Sequence, residues 1–114
     1  MKQDRFLFGA RWRVCLCVQG YAYCRWGVRI GPNGKPLRCL DIADVYLPPE
    51  RRGHGLFTAF LRTCEARTSA GEGFTAVYVE NVFNERLAQF LSEREGYVAA
   101  RNFPQAPSFF YLPP

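Results

Sequence analysis

The spacing of apolar positions changes along the chain, and the changes divide it into elements. From Arg11 to Gln19 (RWRVCLCVQ), Trp12, Val14 and Leu16 alternate with Arg11, Arg13 and Cys15, the two-residue period of a strand. Gly20 marks a turn, and Tyr21 to Ile30 reads as a second strand, closed by the turn sequence Gly31-Pro32-Asn33-Gly34. Leu37 to Leu47 is the third, so an antiparallel meander is expected, with Phe6 to Phe8 as a candidate edge strand. The period then lengthens. Leu56, Phe57, Phe60, Leu61 and Cys64 follow helical spacing and predict a helix from Leu56 to Ala66, ended by Ser69-Ala70-Gly71-Glu72-Gly73. Phe74 to Glu80 returns to strand character, and a strand that follows a crossover helix should lie parallel to the third.

Asn84 is a good N-cap for a second helix reaching Glu95, with Glu85 in its first turn, apolar Leu87, Phe90 and Leu91 at helical spacing, and Gly96 as a stop. Tyr97 to Arg101 and Ser108 to Leu112 close the chain as strands around the Pro-rich stretch from Asn102 to Pro107. The order βββ-α-β-α-ββ predicts an α+β fold, a mixed and mostly antiparallel sheet with a helix on each face. A chain of 114 residues suits one core, so residues 1–114 are expected to form a single compact domain.

Composition narrows the class. Apolar residues make up 48% and aromatics 16%, as in a packed fold and unlike a disordered chain. No apolar run is long enough to span a bilayer as a helix, and no signal-peptide pattern opens the sequence. The cysteines, Cys15, Cys17, Cys24, Cys39 and Cys64, are odd in number and contain no C-x-x-C pair. With one histidine in the chain, a zinc site is not expected. The cysteines read as reduced core residues of a cytoplasmic protein. A catalytic thiol would need a base, and His54 is the only histidine to supply one.

Charge is uneven. The first forty residues carry a net +7 and the remainder −2. A basic N-terminal half suits either an anionic partner, such as nucleic acid or CoA phosphates, or the solvated outer face of a sheet.

The stretch from Leu40 to Ala66 carries the candidate chemistry. It runs strand, then a Pro- and Gly-punctuated loop from Pro48 to Gly55, then helix. Such a passage gathers free backbone N–H groups and the positive end of a helix dipole, which suits a phosphate. Gly53 and Gly55, having no Cβ, let a ligand approach the backbone. A P-loop is excluded because no Lys-Ser or Lys-Thr follows the last glycine, and a dinucleotide fingerprint because Thr58 stands where its third glycine would be.

A third pattern fits. Arg52-Gly53-His54-Gly55-Leu56-Phe57, preceded by Leu47-Pro48-Pro49-Glu50, resembles the acetyl-CoA pyrophosphate loop of the GNAT acyltransferases, whose signature is Gln/Arg-x-x-Gly-x-Gly/Ala. Arg52 and Gly55 match, whereas Phe57 replaces the last small residue. Downstream, Asn84-Glu85-Arg86-Leu87-Ala88-Gln89-Phe90-Leu91 with Gly96-Tyr97 resembles the family's Asn-x-Arg-x-Ala segment and its Gly-Phe, and Phe109 to Leu112 looks like its last strand. The likeness extends from Leu37 to Leu112. Two departures accompany it. There is no room for the two helices that usually follow the first strand and cover the acceptor, so that side should be open or closed by a partner chain or a second copy. Ser92 stands where many members carry a general-acid tyrosine.

The resemblance implies an N-acetyltransferase. Acetyl-CoA would bind at Leu47, Arg52, Gly53, His54, Gly55, Leu56, Phe57 and Asn84, with no metal. An amine would attack the thioester directly while the Leu47 N–H stabilises the developing oxyanion. Asp44, on the same strand, is the candidate base, and Asp41 the second. Arg52 would pair with phosphate oxygens. Ser92 and the open acceptor side fit an alternative: a reduced GNAT-like binding or structural module in a larger assembly. A third reading is a nucleic-acid-modifying protein using the basic N-terminal face.

Overall fold

The computed structural model describes residues 10–70, 73–80, 84–100 and 107–114. The candidate strand from Phe6 to Phe8 and most of the 102–107 stretch lie outside them. The element order is β1 (Arg11–Cys17), β2 (Gly20–Ile30), β3 (Pro36–Tyr46), a 3-10 turn (Pro49–Arg51), α1 (Leu56–Thr68), β4 (Ala76–Val79), α2 (Glu85–Glu93), β5 (Tyr97–Ala99) and β6 (Phe109–Tyr111). The expected α+β order is therefore present, with ends moved by one to two residues in most elements.

The strands form one sheet in the order β1-β2-β3-β4-β6-β5. Neighbours are antiparallel except β3 and β4, which are parallel, as a strand returning from a crossover helix must be. Alternation along the strands sorts the two faces. On one, Ala22, Cys24, Leu40, Ile42, Val77 and Val79 pack with Leu61 and Cys64 of α1 and Leu91 of α2. On the other, Cys39, Ala76, Tyr78 and Phe110 form a smaller cluster that contains no helical residue.

Both helices thus cover the same face, which corrects the expectation of one on each. The reason is topological. β4 and β5 are each antiparallel to β6 and so parallel to one another. The chain moves in one direction along the sheet from β3 to β4 and on to β5. Two right-handed crossovers in succession must then lie on the same side. Side by side, the helices are joined by a charged clasp. Arg94 donates from Nε and Nη2 to Glu65 Oε2 and Oε1 at 2.8 and 2.9 Å, and Tyr97 donates its hydroxyl to Oε2 at 2.7 Å. Burial, together with the Glu65 carboxylate it donates to, pushes the Tyr97 pKa up.

β1 and β2 add Trp12, Val14, Leu16 and Trp26 to the helix-covered face. Trp26 stacks between Trp12 and Phe74 with ring centroids 4.9 and 5.0 Å apart. Phe57 also packs against this core, one turn before Leu61, as its bulk at the loop exit requires.

Candidate functional site

The site begins where the described pairing of β3 with β4 ends. β3 pairs with β2 as far as Tyr46, but its ladder with β4 stops at Ile42 opposite Val79. The last bond of that ladder runs from Glu80 N to Ile42 O at 3.0 Å. Between these points the β2–β3 register skips Ala43: Cys24 faces Ile42, whereas Tyr23 faces Asp44. This is a bulge, and it reverses which residues aim their backbone groups to which side. Before it, Arg38 and Ile42 accept bonds from the β4 side. Beyond it, Asp44, Val45 and Tyr46 stand opposite Tyr23, Ala22 and Tyr21 of β2, and among the described residues no strand pairs with Val45 or Leu47 on the other side. No periodicity in the sequence signals this bulge.

The loop follows at once. Pro48 leads into the 3-10 turn, and Gly53 and Gly55 both adopt left-handed φ, +78° and +80°. That conformation is what glycine is needed for here, since an added Cβ at either position meets nothing within 4 Å. Gly55 is the N-cap of α1 and supplies no side-chain cap. The first N–H groups of α1, from Leu56 to Thr58, therefore lack the partner a capping side chain would give. Open space, bare amides and a helix start together fit a pyrophosphate. Asn84 starts α2 at the same end of the sheet and on the same face, because each helix follows one of two parallel strands. Its Oδ1 accepts from Leu87 N at 3.0 Å, leaving its amide N–H groups to point elsewhere.

The charged residues divide in an unexpected way. Asp44 is exposed on the uncovered face, near the loop, and accepts from the Tyr21 hydroxyl at 3.2 Å. Tyr21 in turn lies 6.1 Å from Tyr46, ring to ring, and Arg13 stacks over it. Asp41, the second candidate base, is 1% exposed. Its Oδ2 accepts from Arg25 Nε at 3.2 Å and from Arg29 Nη2 at 2.8 Å. Glu80 Oε1 joins the same two guanidinium groups. Burial would lower the pKa of Arg29, but its hydrogen bond and charge contact with Asp41 outweigh that, and the net direction is up. Asp41 is thus buried and tied to two guanidinium groups, whereas Asp44 is exposed near the loop, where a ligand can reach it. Sequence reading missed this network. Its one trace was the spacing Arg25-x-Gly27-x-Arg29, which puts both arginines and the glycine on one face.

The remaining candidates are easily placed. His54 is exposed in the loop, and Arg52 sends Nε to Leu47 O at 2.8 Å. Ser92 lies exposed on α2 and donates to Gln89 O at 2.8 Å. Of the cysteines, all free of disulfides, Cys24, Cys39 and Cys64 are buried, but Cys15 is exposed and Cys17 half-buried, so only three are core residues. Two surface concavities, one beside Glu65 and Tyr111 and one beside Arg29 and Phe110, lie away from the loop. The candidate site is an open edge and not an enclosed pocket.

No family model matches the chain, and no curated protein matches it in sequence. Solved structures do. The AtaT Y144F mutant toxin, bound to the C-terminus of the antitoxin AtaR, superposes over 79% of this chain with a TM-score of 0.55 and 14% identity. Arabidopsis thaliana Naa50, in complex with the bisubstrate analogue CoA-Ac-MVNAL, superposes over 80% with a TM-score of 0.52 and 15% identity. Both are GNAT-fold proteins, and this chain has the GNAT fold. It spans 56% and 62% of the length of those two chains.

Proposed function

We propose that the protein is an acyl-CoA-dependent N-acyltransferase that moves an acetyl group from acetyl-CoA to an amine. The observation that carries this reading is the join between β3 and α1: a strand edge with no neighbour among the described residues runs into a loop held left-handed at Gly53 and Gly55, then into a helix start with no capping side chain. Each part meets a different part of one ligand. The amides from Arg52 to Phe57 take the pyrophosphate, with Arg52 adding charge. The free edge at Val45 and Leu47 takes the amide-bearing arm. The N–H of Leu47 points at the thioester oxygen. Asn84 and the exposed His54 complete the contacts of the CoA moiety.

In the reaction, Asp44 takes a proton from the ammonium group, directly or through water. The free amine nitrogen attacks the thioester carbon, and negative charge builds on the oxygen held by Leu47. The carbon–sulfur bond then breaks, CoA leaves as thiolate, the nitrogen gives its remaining extra proton to that thiolate or to water, and an amide forms. A thiol near pKa 8.5 leaves without a strong acid beside it, so Ser92 in place of a tyrosine slows the reaction and does not forbid it. The bisubstrate analogue on Naa50, which joins CoA to a peptide through an acetyl group, supports this chemistry for the fold. The sheet face without a helix suits a macromolecular acceptor, or a partner or second copy that closes it.

Ser92, whose hydroxyl is already bonded to Gln89, favours the second reading, a binding module with little or no turnover. The nucleic-acid reading is weakened, because Arg25 and Arg29, two arginines of the uncovered face, are engaged by Asp41 and Glu80. Calorimetric titration with acetyl-CoA and CoA, followed by a CoA-release assay over a panel of amines that includes polyamines and peptides, tests the assignment. Saturable binding and release with at least one amine are expected. Binding without transfer supports the module instead, and absence of binding overturns the acyltransferase and leaves a structural module that has lost its CoA affinity.

A further inference from the structure

Arg52 holds a bond that phosphate binding does not require. Leu47 C=O has no strand partner among the described residues. Arg52 Nε fills that place at 2.8 Å, from five residues further on. The backbone N–H of Arg52 donates meanwhile to Pro49 O at 3.3 Å, so the segment from Leu47 to Arg52 closes on itself twice. Leu47 also precedes a proline, and such a residue is confined to extended conformations. Its carbonyl direction is thus set from two sides, and with it the orientation of the neighbouring Leu47 N–H.

The Arg52 guanidinium is a rigid planar fork. Fixing Nε on Leu47 fixes where the two Nη groups point; among the described residues they have no hydrogen-bond partner, and the guanidinium lies over the Tyr46 ring, 5.8 Å from its centroid. The same side chain therefore ties the pyrophosphate loop to the amide assigned to the thioester, two anchors that must hold opposite ends of one ligand at a set span. We propose that Arg52 is a positioning residue, acting through its Nε bond to the Leu47 carbonyl to aim the Leu47 N–H, rather than only a charge for phosphate. The inference rests on the acyltransferase reading for the role of Leu47, but not for the bond itself.

Two substitutions separate bond from charge. Glutamine carries an N–H donor on the atom in the position of the arginine Nε, so Arg52→Gln keeps the bond and loses the charge. Arg52→Lys keeps the charge and has only carbon at that position. Steady-state kinetics of acetyl transfer should show Arg52→Gln with a raised KM for acetyl-CoA and kcat within about twofold of the wild type. Arg52→Lys should keep KM and lose kcat by roughly 10-fold to 10²-fold, the scale on which small misplacements of a reacting group are felt. The reverse pattern, with Lys active and Gln impaired in kcat, overturns the proposal.

A readout independent of catalysis accompanies it. In NMR spectra of the ligand-free protein the Arg52 Nε proton should exchange slowly, and that protection should be absent in an Arg52→Ala variant, used to assign the signal. Fast exchange at Arg52 in the wild type overturns the bond whatever the activity. A protected proton in a protein that fails to bind acetyl-CoA overturns the acyltransferase reading, and with it the role given to the bond.

Discussion

The carboxylate of Asp41 lies over the bare Cα of Gly27 on the neighbouring strand, so close that a Cβ added there would stand 3.1 Å from Oδ2 and 3.6 Å from Oδ1. Arg25 and Arg29 flank Gly27 on the same face and close on that carboxylate from both sides. The glycine makes the niche and the arginines fill its walls. Because Asp41 Oδ2 is tethered to two guanidinium groups, the carboxylate cannot retreat from a new methyl group without lengthening those bonds.

Gly27→Ala should therefore destabilise the protein, although alanine ordinarily suits a strand better than glycine does. Overpacking of this kind costs about 1–3 kcal/mol. Urea unfolding should show a lower midpoint with an unchanged slope. A midpoint equal to or above the wild type would mean that the network is loose and that the niche is not specific.

Asp41 and Asp44 are three residues apart on one strand, yet their substitutions should separate stability from turnover. Asp41→Asn weakens two charged contacts at a fully buried position and should cost about 1–3 kcal/mol, since the arginine partners are partly exposed and screened. Asp44→Asn removes an exposed carboxylate and should leave the unfolding midpoint nearly unchanged. In the transfer assay Asp44→Asn should lower kcat by roughly 10²-fold to 10⁴-fold, the usual worth of a general base. Ser92→Ala, which removes only a hydroxyl bonded to its own helix at Gln89 O, should change kcat little. If Ser92→Ala is the damaged variant and Asp44→Asn is not, the roles are reversed.

Some features of the fold and the site were open to sequence reading and others were not. Period and punctuation located β3, the glycine loop and α1, because alternation, Pro-Pro and paired glycines are local signals. Asn84 as an N-cap was legible for the same reason, and the structure has it accepting from Leu87 N. The helix arrangement was not legible from element order alone. It depends on β6 inserting between β4 and β5, a pairing of distant residues such as Val79 with Phe109. The Asp41 network escaped for a related reason. Its members come from β2, β3 and the end of β4, and an alternating arginine looks the same whether it faces water or a buried acid. Cys15 was misplaced among the core residues because it sits in an apolar run, but its parity in β1 puts it beside Arg11 and Arg13 on the exposed positions.

Gly55→Asp and Gly55→Asn form a matched pair for the pyrophosphate loop. Both place a side chain at φ +80°, which asparagine and aspartate tolerate better than most residues, and both have open space around the new Cβ. The backbone cost is then shared, at about 1–2 kcal/mol. Only aspartate adds a negative charge beside the phosphates. Calorimetry should show acetyl-CoA binding abolished in Gly55→Asp and weakened by far less in Gly55→Asn. Equal affinity in the two folded variants would remove this loop from the ligand site.

The buried thiols make stability depend on alkaline pH, with a sign that can be worked out in advance. Burial pushes the pKa of Cys24, Cys39 and Cys64 up to about 12 each, from a starting value of 9.0. A thiol in the unfolded chain releases its proton near the lower value, whereas the folded protein holds it. Above that point the unfolded state binds fewer protons, so stability falls as pH rises. The contribution is complete below about pH 9 and is lost progressively through about pH 12, at about 1.4 kcal/mol per pH unit for each thiol. Tyr97, raised by burial and by Glu65, acts in the same direction. Urea midpoints measured from pH 7.5 to 10.5 should decline, and Cys24→Ala or Cys64→Ala should flatten the decline by one thiol's share. Alkylation at pH 8 gives the same answer by another route: Cys15 should react in the native protein, and all five cysteines only after denaturation. Native labelling of Cys24 or Cys64 at the rate of Cys15, or a midpoint that is flat across this range, would show that the core does not hold these thiols as the packing of α1 on the sheet requires.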